Sequence, residues 1–144
     1  MKFLLVLFMI TSSCVTAFSQ NITGTWSGIY DEHAAGSWHN HPIYLYIYKD
    51  KDSALQAYTY SLFNIYNKKD TVICIASVAA GTDNSWLITE KGREDGQDKY
   101  EEFQGFKLKF VLKKDKYILK GTWFYANDQD SRAGSAEFKK IEHD

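Results

Sequence analysis

Apolar and polar residues alternate with a period of two along most of this 144-residue chain, and no stretch carries the 3.6-residue period of an amphipathic helix. The run Ile43-Tyr44-Leu45-Tyr46-Ile47-Tyr48 is the plainest case. In a strand it sets aliphatic residues on one face and a tyrosine row on the other. The same pattern predicts strands over 22–30, 43–48, 55–67, 71–80, 85–89, 104–112, 117–125 and 134–141. The first would turn Ile22, Gly24, Trp26, Gly28 and Tyr30 inward. The sixth would oppose a core face of Phe106, Leu108, Phe110 and Leu112 to Lys107 and Lys109. Short turns are expected at Lys49-Asp50-Lys51-Asp52, Lys68-Lys69-Asp70, Gly81-Thr82-Asp83-Asn84 and Lys113-Lys114-Asp115, with longer loops over 31–41, 90–100 and 126–133.

Eight strands joined mainly by hairpins is the size at which an antiparallel sheet closes on itself, which removes its exposed edges. The predicted fold is therefore all-β, an eight-stranded antiparallel up-and-down β-barrel. A repeated tripeptide refines this expectation. Gly24-Thr25-Trp26 and Gly121-Thr122-Trp123 fall early and late in the chain, which predicts that Trp26 and Trp123 are a structural plug, buried near each other at one end.

The first residues depart from the alternation. A basic start at Lys2, an unbroken apolar run from Phe3 to Ile10, and small residues through Ala17-Phe18-Ser19 have the layout of a secretory signal peptide. Cleavage after Ser19 gives a leader over 1–19 and one barrel domain over 20–144, exported to the periplasm or cell exterior. The apolar run is far shorter than the ~20 residues that span a bilayer, so no transmembrane helix is expected. Cys14, after Thr11-Ser12-Ser13, offers lipid anchoring as a rival to release. Removing the leader takes only Lys2 among the charges and leaves 16 Lys and Arg against 18 Asp and Glu, a formal charge of −2. So balanced a chain has no strong electrostatic pull toward nucleic acid. Cys74 would be the one remaining cysteine, so the core and not an internal disulfide must hold the fold.

The segment Asn21-Ile22-Thr23-Gly24-Thr25-Trp26, set after a leader and followed by alternating strands, is similar to the opening of the avidin and lipocalin barrels, the calycin-type group. That resemblance implies a barrel whose narrow end is closed by Trp26, with Gly24 the small residue that lets it pack. It reaches architecture alone. The closing Arg of lipocalins and the polar ring of a biotin site have no counterpart that can be mapped. The closing stretch, from Leu119 to Trp123 and on through Ser131-Arg132-Ala133-Gly134-Ser135 to Ile141, also looks like small exported bacterial proteins of uncharacterised role.

Four groups are candidates for chemistry. Glu32, His33, His39 and His41 place three of the four histidines in the 31–41 loop, where extended backbone would project His39 and His41 to one face as two arms of a metal site. The bland alternative is a solvated polar loop, and no metal or other cofactor is expected. Tyr44, Tyr46, Tyr58 and Tyr60 would line a ligand cup with Trp26 if they face the lumen, or form a contact surface if they face outward; the aliphatic residues between them are the better core candidates. Cys74, between Ile73 and Ile75 without a charged neighbour, reads as a buried inert thiol. Lys107, Lys109, Lys113, Lys114, Lys116 and Lys120 read as a solvated face rather than an anion site.

No phosphate-cradling glycine loop or nucleophile elbow is present, and the adjacent Glu101 and Glu102 would point to opposite strand faces. The sequence thus predicts a binding module for a small, partly apolar ligand rather than an enzyme. A structural or protein-contact role through the tyrosines is the alternative, and a metal-dependent enzyme at the histidines a distant third.

Overall fold

The period-two pattern folds into eight strands in the computed structural model, which describes residues 21–34, 37–65, 68–81, 83–97, 102–128 and 133–142. They are β1 (Gly24–Ala34), β2 (Ser37–Lys49), β3 (Leu55–Ile65), β4 (Lys68–Ala80), β5 (Ser85–Arg93), β6 (Gln104–Lys113), β7 (Lys116–Tyr125) and β8 (Gly134–Lys140). Each strand pairs antiparallel with the next, and β8 pairs with β1, so the sheet is a closed up-and-down barrel. The expected leader, its cleavage site and Cys14 lie outside the described residues, as do Glu101 and the stretch 129–132. Among the described residues no helix is long and apolar enough to cross a membrane.

The ladder fixes which residues enter the barrel, because directly opposed residues share a face. Trp26 opposes Leu45, Leu45 opposes Thr59 and Thr59 opposes Cys74. Phe106 opposes Trp123, and Phe138 opposes Gly28. Trp26, Ile43, Leu45, Ile88, Phe106, Leu108, Leu119 and Phe138 are fully buried. Large rings fit because small residues face them. Ala57, Ala76 and Ala136 are buried alongside, and a Cβ on Gly28 would run into the Phe138 ring. Cys74 is buried, as the sequence predicts.

The two tryptophans do not share an end, contrary to the repeat argument. β1 and β7 run in the same direction, and the tripeptide starts the first but closes the second. On β8 the partner of Trp26 is Lys140 and that of Trp123 is Gly134, six residues away, which is roughly 20 Å along a strand. The Trp26 indole donates to Ile22 O (2.9 Å) and meets Phe110 edge-on. The Trp123 indole donates to Asp31 O and meets Tyr30 edge-on. Gly121 and Gly24 differ as well: Gly121 lies so close to Lys107 O that a Cβ has no room, whereas Gly24 has φ 118°.

Other boundaries move for one shared reason, that strand pairing continues through polar residues. The expected loop over 31–41 is mostly a hairpin, with Tyr30 opposite His41 and Glu32 opposite His39. Lys68-Lys69-Asp70 belongs to β4, and β5 runs on to Arg93. The β6 core face ends early: Leu112 is 60% exposed at the β6–β7 tip, beside the exposed Val111 and Tyr117.

Candidate binding mouth

Inward positions are apolar around Trp26 and polar at the other end of the barrel. There β1 supplies Glu32, β2 His41, β3 Thr59 and Ser61, β5 Glu90, β6 Gln104 and β7 Tyr125. Each continues the alternation of an apolar inward residue two or more places along: Tyr30, Ile43, Ala57, Ile88, Phe106 and Trp123. A β-bulge between Ile75 and Ala76 sets Glu90 opposite Ala76 and Arg93 opposite Cys74, so both charged residues stand across from inward positions.

Two linked networks hold this end. Glu90, itself buried, accepts from the Thr59 hydroxyl with one carboxylate oxygen and from the Gln104 backbone N–H (2.8 Å) with the other. The Gln104 side-chain amide donates to the Tyr30 hydroxyl (2.8 Å). Glu32 accepts from the Tyr125 hydroxyl (3.1 Å) and lies 3.3 Å from His41 Nε2. The His41 ring stacks on Tyr30 at 5.0 Å. Asp31 anchors the rim from outside by accepting from the Ser135 backbone N–H and hydroxyl.

Two polar atoms here are buried without a hydrogen bond, His41 Nε2 and Gln104 Oε1. The contact of His41 Nε2 with Glu32 is an ion-pair distance without hydrogen-bond geometry. For Gln104, turning the amide over would orphan its nitrogen instead, so either orientation leaves one end of the group unsatisfied. A buried polar atom left unpaired costs about 1–3 kcal/mol, and such atoms mark places where water or a ligand group is expected.

Burial pushes the Tyr30 phenol up to about 12, with Glu32 and Glu90 adding to the rise and the Gln104 hydrogen bond opposing it. Burial also raises Tyr125, helped by its hydrogen bond to Glu32. Both rings therefore stay protonated donors at neutral pH. The folded chain holds the Tyr30 proton more tightly than the unfolded chain does. Its contribution is complete below about pH 10 and is lost as pH rises from there toward 12. We expect wild-type stability to fall over that window more steeply than that of Tyr30→Phe, measured by urea unfolding. Equal slopes in the two proteins would contradict the assignment.

The other candidates lie elsewhere. Tyr44, Tyr46, Tyr58 and Tyr60 occupy outward positions, with Tyr44 opposite Tyr60 and Tyr46 opposite Tyr58, so they do not form a cup with the inward Trp26. The aliphatic residues between them took the core, since Ile43, Leu45 and Ile47 bury completely. Among the three loop histidines, His41 enters the mouth, His39 is exposed, and the side chain of His33 lies outside the described residues. No group of three or more His, Cys, Asp or Glu that could hold a metal occurs among the described residues. Lys107 and Lys109 reach Asp83 at 3.5 Å and Lys120 reaches Glu137 at 3.8 Å, all on the exposed outer wall.

Of the mouth residues, the sequence pattern singles out Glu32 and His41 in the histidine group but not Glu90, Gln104 and Tyr125, although parity would have found them. Each stands an even number of places from a core residue on its own strand. No protein family, characterised protein or solved structure matches this chain.

Proposed function

We propose that this chain is an exported binding module that takes a small, partly apolar ligand at the polar mouth of the barrel. One observation carries the reading: the inward polar residues collect at one end, above an apolar floor of Tyr30, Phe106 and Trp123, and two of their buried atoms make no hydrogen bond. A ligand that lays an apolar body toward that floor and offers a hydrogen bond to Gln104 or His41 would satisfy them. Small-ligand sites of this kind are mostly apolar with a few placed polar groups. The calycin-type resemblance of the first strand supports the same reading, as an architecture that holds ligands inside a barrel.

Native mass spectrometry of protein purified from its own host should reveal a bound molecule of a few hundred daltons. N-phenyl-1-naphthylamine, a neutral aromatic probe, should bind saturably at one site. Gln104→Leu and His41→Phe should each weaken the native ligand about tenfold, the worth of one buried hydrogen bond. Protein that carries no adduct and gives no saturable probe signal would rule the reading out.

A further inference from the structure

The outer wall of β1–β4 is built differently from the rest of the barrel. Below the rim, where Asp31 also stands outward, its central outward positions are Thr25, Ser27 and Ile29 on β1, Tyr44, Tyr46 and Tyr48 on β2, Tyr58, Tyr60 and Leu62 on β3, and Thr71, Ile73 and Ile75 on β4. None is charged. Ile29, Tyr44, Tyr46, Leu62 and Ile75 are each 39–50% exposed, so this half of the surface presents apolar groups to water. The opposite wall carries Lys107, Lys109, Lys120 and Glu137 instead. Monomeric proteins rarely show so continuous an apolar face unless something covers it.

We propose that a second copy of this chain covers it, in a two-fold symmetric dimer. Three features select that occupant. The first is shape, since the face holds both a groove and a ridge. The groove, about 520 Å³, is lined by Thr25, Tyr44, Tyr46, Tyr60, Leu62 and Thr71. The ridge is a stack of rings beside it, Tyr46 on Tyr48 and Tyr48 on Tyr58, each pair 5.6 Å apart and within 18° of parallel. Tyr46 belongs to both. A two-fold axis through Tyr46 brings the ridge of each copy into the groove of the other, which an isologous interface requires.

Charge is the second feature. A two-fold contact sets each residue near the axis against its own copy, so a charge there would meet itself. A charge-free face carries no such repulsion, whereas a different partner would be selected through complementary charges that this face lacks. The third is size. Four strands about 4.8 Å apart and about six residues long give a footprint on the order of 300–400 Å² in projection, and upright aromatic side chains raise the accessible area toward the roughly 800 Å² per partner of a standard interface. Tyrosine supplies such area at low entropic cost, because its ring has few rotamers to lose.

Sedimentation equilibrium on the full mature chain, from about 1 to 100 μM, tests the assignment. Wild type should sediment as a dimer. Tyr46→Lys and Leu62→Lys should raise the dissociation constant at least 100-fold while leaving the thermal melt of the monomer within a few degrees. Lys107→Glu, on the opposite wall, should leave the dimer intact. Should a lysine variant not fold, Tyr46→Ser and Tyr44→Ser remove the same rings without adding charge, and the dimer should weaken in both. A wild-type monomer across the whole range overturns the proposal, even if the face then captures another protein. So does a dimer that survives both lysine variants.

Discussion

Trp26→Ala and Trp123→Ala should each cost about 3–5 kcal/mol, and their costs should add in the double variant. The magnitude follows from burial, because both side chains are at most 1% exposed and truncating a buried large aromatic removes its contacts and leaves a cavity. Additivity follows from position. Trp26 packs on Phe110 and hydrogen-bonds Ile22, whereas Trp123 packs on Tyr30 and Tyr125 and hydrogen-bonds Asp31. These partner sets do not overlap, and sites that far apart usually combine within about 0.5 kcal/mol. A single-domain protein has roughly 5–15 kcal/mol of stability in all, so the double variant should be largely unfolded at 25 °C. Urea unfolding of the single variants checks the size. A coupling energy above about 1 kcal/mol would show that the two indoles act as one plug after all, and a loss below that value at both sites would show that neither anchors the core.

Replacing Glu90 by Leu should be nearly as damaging, through hydrogen bonds rather than volume. The carboxylate is the acceptor for both the Thr59 hydroxyl and the Gln104 backbone N–H at the first residue of β6. A leucine fills similar space but strands both donors, at about 1–3 kcal/mol each, offset in part because a buried charge no longer has to be desolvated. The expected net loss is roughly 2–4 kcal/mol. Glu90→Gln retains one acceptor oxygen and should cost about half as much. The informative variant is Glu90→Leu combined with Thr59→Val, which removes donor and acceptor together and should recover part of the loss. Wild-type stability in Glu90→Leu, or no recovery in the pair, would mean that the carboxylate does not organise the mouth.

Most of the barrel is legible in the alternation itself. Ile43 to Tyr48 displays its inner and outer faces without ambiguity, and the tyrosines follow the outward parity that their aliphatic neighbours impose. What escapes is where each strand ends. Glu32, His41 and Glu90 look like loop residues because polarity normally signals solvent, yet the ladder continues through them and the barrel wall takes in what parity points inward. The repeated tripeptide misleads for a different reason: a local motif gives no information on whether it sits at the start or the end of its strand. Only the register, with Gly134 and Lys140 on β8 as markers, separates the two tryptophans. The unsatisfied atoms of Gln104 and His41 are a property of three-dimensional packing and leave no trace in composition.

Closure of β8 onto β1 makes the sheet a ring, and a ring has no first member. The chain enters and leaves at the same rim, where the Ile141 backbone N–H donates to Thr25 O at 2.9 Å. A short linker could therefore join 142 to 21 without crossing the lumen, and the break could be moved to another hairpin. The β6–β7 turn is the natural place to cut, because Lys114 and Asp115 both sit at positive φ, 49° and 61°, in a turn that glycine or asparagine usually fills. In a permuted gene opened there, Tyr117 and its neighbours would be made first and Leu112 last. The same eight ladders would form from a different order of synthesis, so the sequence of strands along this chain is one of several ways to write a single circular object.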